Sequence, residues 1–290
     1  MMILNTLKTI LFLSMLTSLL LLVGYAIGGM SGLNIALFMS IIINVTTYFF
    51  SETLILTIYR AKPLNREEYA WIYQTVQELS MIMDIPEPKL WIVSNAQPNA
   101  FATGRTPHHA SVVLTSGIIE LLDKRELRGV LAHELSHIRN YDVLVATIAA
   151  TIATAISYLT QFAYYRLMWS GENRRKNVFD FLLMFIVILI TPFIAALIQY
   201  AISRTREYLA DDSGAHASQD PLSLASALEK IGSHTIIHHD KAPSMQERTT
   251  ASLCIVYPFT ADSWILSLLS THPPIEKRIE KLQQLARTMR

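Results

Sequence analysis

Charge is scarce in this sequence. Asp, Glu, Lys and Arg make up 16% of its 290 residues, against roughly 25% in an average soluble domain. A soluble chain of this length needs more charge to cover its surface, so the apolar residues, 51% of the total, must be gathered somewhere. The net charge is only +1, which gives no basis for nucleic-acid binding or for steering acidic substrates. Cysteine is nearly absent too. Cys254 stands alone, so the chain has no internal disulfide and no zinc site built from several thiolates. Any metal here must be held by His and carboxylate.

The apolar residues are gathered in long runs. No charged residue occurs between Lys8 and Glu52. That stretch holds two runs, 9–27 and 33–50, separated by Gly28-Gly29-Met30-Ser31-Gly32. Each is close to the roughly 20 residues a helix needs to cross a hydrocarbon core, and the Gly-rich break predicts a tight turn between antiparallel helices. A third run covers 143–164 and a fourth 181–202. The expectation is four transmembrane helices. A cleaved signal peptide is a poor account of the first run, since its basic flank is weak and a second run follows at once. The third run is rich in Ala and Thr, which suits close helix packing.

Two polar segments remain. Residues 65–83 predict a helix. Residues 89–93 and 110–114 are short β-branched runs bounded by Pro, Gly and Asn, and predict strands. Residues 123–140 predict a helix with Asp123 as N-cap. Further helices are predicted at 203–215, 221–231 and 274–287, and 232–250 lacks periodicity and reads as a mobile loop. The layout is an α-rich integral membrane protein with a split α+β domain: an N-terminal hairpin (1–59), a first polar part (60–142), an inserted hairpin (143–202) and a second polar part (203–290).

The central motif is His133-Glu134-Leu135-Ser136-His137. Residues four apart share a helix face, so His133 and His137 can reach one metal. Glu134 lies about 100° round the axis, placed to take a proton from metal-bound water. Leu127, Leu131, Leu135 and Ile138 form an apolar stripe on the other side. A zinc enzyme of this kind needs three protein ligands and an open position. Val143 stands where one known variant has its third His, so the third ligand lies elsewhere. The best candidate is Glu207 in Ser203-Arg204-Thr205-Arg206-Glu207-Tyr208-Leu209-Ala210-Asp211. Asp211, one turn on, is suited to orient a ligand His.

Taken together, these motifs resemble the HtpX family of bacterial membrane-bound zinc metalloproteases, relatives of the CAAX prenyl proteases. The resemblance spans nearly the whole chain. It rests on the paired N-terminal runs, on Asn99-Ala100-Phe101-Ala102-Thr103-Gly104, and on the HELSH helix with Asn140 and Asp142. It rests further on the Ser-Arg-x-Arg-Glu-Tyr-x-Ala-Asp stretch, and on Thr271-His272-Pro273-Pro274 with Arg278. It implies a zincin-type (gluzincin) domain with a small sheet and one Zn2+ held by His133, His137 and Glu207, with Glu134 as general base. It implies that His272 and Arg278 lie near the zinc-bound oxygen, where they would stabilise an oxyanion. Asn99, Ala100, Phe101 and Ala102 would belong to an edge strand that pairs with a substrate backbone.

By the same resemblance the substrates are polypeptides, membrane proteins among them, and the role is quality control in the bacterial inner membrane with a cytoplasmic catalytic domain. Charge alone divides on orientation: Arg174, Arg175 and Lys176 in the 170–177 loop oppose Arg60, Lys62 and Arg66. Two rivals are less well served by the residues. An intramembrane protease would need an apolar His-Glu helix, whereas this one begins Asp-Lys-Arg-Glu-Leu-Arg. An idle metal-binding scaffold would have no use for Glu134, which is not a ligand.

Overall fold

The computed structural model describes residues 2–148, 151, 204–237 and 273–289. Most of the third and fourth apolar runs, the greater part of the 232–250 segment, and His272 lie outside the described residues.

The chain opens with α1, Met2–Ile58, a helix interrupted at Gly29, whose φ of 56° and ψ of −138° leave helical space. Glycine occupies this region without steric penalty. The two halves fold back on each other. Thr17 Oγ1 accepts a hydrogen bond from Asn44 Nδ2 at 2.7 Å, and Gly24 packs so closely on Gly32 and Ala36 that a side chain there would collide with both. The predicted hairpin is therefore formed, with a turn tighter than the five-residue break suggested. One helix among the described residues, Gly28–Ile58, is long and apolar enough to cross a membrane.

A four-stranded mixed sheet follows, built from β1 (Lys62–Pro63), β2 (Lys89–Val93), β3 (Ala100–Thr106) and β4 (His109–Thr115), in the order β1-β2-β4-β3. β3 pairs antiparallel with β4 and is one of the two edge strands, and β2 runs parallel to β4. Successive side chains of a strand point to opposite faces, and here each face has its own core. Leu90, Ala100, Ala102, Val112 and Leu114 join the main core with the helices. Val93, Phe101 and Val113 pack instead on Ile55 and Leu56 at the end of α1. The Tyr59 and Phe101 rings, 4.9 Å apart, extend that contact. The sheet is thus a shared wall between the end of the apolar hairpin and the protease helices.

The helices of the main core are α2 (Ala70–Met83), α3 (Ser116–Leu121), α4 (Lys124–Arg139), α5 (Arg204–Ser218), α6 (Pro221–Ile237) and α7 (Ile275–Thr288). α2 ends at Asp84, in left-handed backbone (φ 54°). The sequence reading expected 232–250 to be a loop, yet α6 continues to Ile237. Gly232 is not a helix stop there. It is a point of close packing, where an added Cβ would lie 2.8 Å from Ile275 on α7.

Candidate active site

The site is built on α4. Asp123 caps the helix by accepting from the Arg125 and Glu126 amides at 2.8 and 2.9 Å. Glu126 returns the bond to the Asp123 amide at 2.9 Å, which closes a capping box. Glu126 also receives Lys230 Nζ at 2.7 Å and Ser226 Oγ at 2.7 Å from α6. Leu127, Leu131, Leu135 and Ile138 are fully buried, so the apolar stripe seals one side of α4. The opposite side faces α5, which runs antiparallel to it. Arg125 meets Asp220, Gly214 sits against the His133 backbone, and Arg206 reaches Asp142 just beyond α4. Gly214 matters for this fit: a Cβ there would stand 2.9 Å from the His133 amide nitrogen. The helices approach closely enough for Glu207 to reach both histidines.

His133 Nε2, His137 Nε2 and the Glu207 carboxylate converge. The two Nε2 atoms are 3.3 Å apart, and Glu207 oxygens lie 3.7 Å from His133 and 3.6 Å from His137. A tetrahedron with metal–ligand bonds of about 2.0–2.2 Å has edges of about 3.3–3.6 Å. This donor set therefore fits a divalent cation. The far ring nitrogens support the same conclusion. His133 Nδ1 lies 3.0 Å from Asp211 Oδ1, and His137 Nδ1 is hydrogen-bonded to Asp142 Oδ2 at 3.2 Å. His137 Nδ1 is thus tied to a carboxylate, and His133 Nδ1 stands close to one though out of line for a hydrogen bond, so both Nε2 atoms are turned toward the shared centre.

Burial opposes a charged His137, but the bond to Asp142 and the carboxylates of Glu207 and Glu134 outweigh it and raise its pKa to about 9. Burial also pushes the Glu134 carboxyl above the usual carboxylate range, with Glu207 adding to the effect. Glu134 Oε2 accepts the Ala102 amide at 2.9 Å, so the carboxylate is anchored to the sheet edge. Asp211 moves the other way. Burial would raise it, yet the Arg278 guanidinium beside it and His133 hold it well below the usual range. Arg278 is 1% exposed and grips Asp211 bidentately, Nε to Oδ2 at 2.8 Å and Nη2 to Oδ1 at 2.7 Å. Its Nη2 also lies 3.5 Å from His133 Nε2, and Nη1 lies 3.7 Å from Glu207.

The structure thus brings together His133, Glu134, His137, Glu207, Asp211 and Arg278. It sets β3, with Asn99 just before it, against Glu134 through the Ala102 amide. Asp142 was quoted in the sequence only as part of a motif. Its contact with His137 assigns it a place in the site, and a carboxylate five residues past the second His was the available signal.

A buried His-His-Glu centre on two antiparallel helices beside a sheet edge defines a metallopeptidase. Residues 66–286 match the model for peptidase family M48, and the chain belongs to that family. It is 44% identical to a Protease HtpX homolog of Sulfurihydrogenibium sp. over 98% of this chain and 97% of that one. It is 45% identical to the homolog of Aquifex aeolicus over 93% and 90%. The crystal structure of S. mikatae Ste24p superposes with a TM-score of 0.52 at 17% identity, covering 97% of this chain and 66% of that one; that likeness concerns the fold. The resemblance read from the motifs to HtpX proteases is therefore correct. With the apolar Gly28–Ile58 helix, the chain is a membrane protease.

Proposed function

We propose that the protein is a membrane-anchored zinc endopeptidase in which His133, His137 and Glu207 hold the metal and Glu134 is the general base. The observation that carries this reading is the convergence of two imidazole Nε2 atoms and one carboxylate at 3.3, 3.7 and 3.6 Å. His and carboxylate donors in this number suit zinc. When bound, the metal supplies a Lewis acid for the scissile carbonyl and lowers the pKa of water towards about 7. Glu134, raised in pKa and held by the Ala102 amide, accepts the proton of the attacking water and returns it to the leaving amine. Asp211 fixes the His133 tautomer. Arg278 and His272 are the donors for the oxyanion formed at the carbonyl; the location of Arg278 beside His133 and Glu207 supports its share of that role. The outward edge of β3, with Asn99, Ala100, Phe101 and Ala102, binds the substrate main chain as an added strand.

The domain plan belongs to the same proposal: hairpins at 1–59 and 143–202 crossing the membrane four times, and a protease domain split between 60–142 and 203–290. Both halves of the site lie where an apolar run meets polar chain, which puts the metal just outside the lipid. The catalytic side is cytoplasmic, the membrane is the bacterial inner membrane, and the substrates are damaged or misfolded membrane proteins. The test is metal analysis and casein digestion by the detergent-purified chain. Phenanthroline should abolish digestion and Zn2+ should restore it. Digestion that persists after complete metal removal would exclude the proposal.

A further inference from the structure

The centre holds a second buried guanidinium, Arg206, one residue before Glu207 on α5. It is 8% exposed, and among the described residues neither Nη1 nor Nη2 has a hydrogen-bond partner. A buried cation is costly unless something compensates its charge. Among the described residues, Asp142 is the neighbour placed to do so. Its Nη1 lies 3.6 Å from Asp142 Oδ1, and the other oxygen of Asp142 is the one bonded to His137 Nδ1 at 3.2 Å. The order His137–Asp142–Arg206 thus repeats His133–Asp211–Arg278. The antiparallel run of α4 and α5 produces both carboxylate contacts: Asp142, three residues past the end of α4, meets Arg206 just before Glu207, while Asp211, one turn after Glu207, meets His133; the second guanidinium, Arg278, comes from α7. The two differ in grip. Arg278 binds its carboxylate at 2.7 and 2.8 Å, whereas Arg206 stands off at ion-pair distance.

We infer that Arg206 is a positioning residue of the metal centre, acting through Asp142. Its charge holds Asp142 turned so that Oδ1 faces the guanidinium and Oδ2 holds His137 with its Nε2 lone pair toward the metal. Arg206 fixes the Oδ1 side of Asp142, and His137, 16% exposed at its side chain against 1% for His133, is the ligand with room to turn when that side is released. The inference deepens the proposed function and rests on its ligand set.

The test is metal binding by the full-length chain in detergent. Co2+ would be followed by its tetrahedral visible band, and Zn2+ by competition with a chromogenic chelator. Loss of a residue that directly orients a ligand typically weakens binding about 10–100-fold, and Asp142→Asn should fall in that range. Arg206→Gln, one contact further out, should weaken binding about five- to ten-fold and shift the Co2+ band, and Arg206→Lys should recover part of the loss. The Asp142→Asn/Arg206→Gln double variant should bind no more weakly than Asp142→Asn alone, because residues acting through one contact are not additive. Additive losses, or wild-type affinity in Arg206→Gln, would overturn the inference. A raised KM with unchanged metal affinity would also overturn it and give Arg206 to the substrate. An Arg206→Gln chain that fails to fold beside a folded Asp142→Asn would do the same, since Arg206 would then support something other than Asp142. If His137→Ala binds metal as tightly as wild type, the ligand set itself is wrong, a separate result.

Discussion

The two sides of α4 are made from one stretch of sixteen residues and obey opposite rules. The core side is Leu127, Leu131, Leu135 and Ile138, all fully buried against carbon. The chemical residues are His133 and His137 on the side toward α5, and Glu134 at the rim of the core side, three residues after Leu131 and four before Ile138. They too are largely buried, but against carboxylates, a guanidinium and a strand amide. Burial means different things on the two sides. Apolar side chains gain about 25 cal/mol per Å² removed from water and need no partner of defined geometry. Polar groups at the same depth lose unless each finds its partner. The core side therefore fixes where the helix lies, and the chemical side depends on groups brought from α5, α7 and β3. Function here sits on the side that the fold does not stabilise by itself.

That contrast can be broken from either side. Glu134→Gln should lower the casein digestion rate by roughly two to four orders of magnitude, the usual contribution of a general base. Metal content and melting temperature should stay near wild type, because all three metal donors are untouched. A variant that keeps digesting at a similar rate would remove Glu134 from the mechanism. Leu131→Ala attacks the other side. It should cost about 2–5 kcal/mol of stability through the cavity it leaves, while molecules that remain folded keep their specific activity; chemical denaturation followed beside a digestion assay separates the two.

Acid and base sharpen the comparison without mutation. His137 in the metal-free protein is raised from 6.5 to about 9. A raised imidazole stabilises the fold fully below its unfolded pKa, and that contribution is lost as pH climbs through about 9. A metal must displace the same proton, so its affinity should climb across this window by up to about tenfold per pH unit. Isothermal titration in buffers of different ionisation enthalpy would count the proton released. A pH-independent affinity between 7 and 9 would contradict it. The smallest effect is expected at the helix end, which belongs to neither side. Asp123→Ala removes the cap and should cost about 1 kcal/mol, read as a lower melting temperature with kcat/KM unchanged.

Much of this was legible in the sequence because helix spacing is local. His133 and His137, and Glu207 and Asp211, each stand four apart, so a face could be assigned before any fold was known. The N-cap of α4 and the hairpin of α1 were legible for the same reason, from Asp123 and from the glycines near Gly29. What escaped the reading depends on contacts distant in sequence. β1 is two residues long and exists through its pairing with β2. α3 follows β4 without a break and has no pattern of its own. The continuation of α6 past Gly232 depends on Ile275, and the meeting of Arg206 with Asp142 depends on two helices running antiparallel. The position of β3 at the sheet edge came from family resemblance, since period-2 alternation does not tell an edge from a centre.

Phe101 and Ala102 are neighbours in β3, and one peptide unit joins two duties. Phe101 packs against the end of α1, and the Ala102 amide holds Glu134. On the membrane reading, the height of the catalytic carboxylate above the lipid is set by a single layer of strand, with no loop between to absorb a change. A shift at the end of the apolar hairpin therefore reaches Glu134 through one peptide unit, and a change at position 101 or 102 is felt on both sides of the sheet.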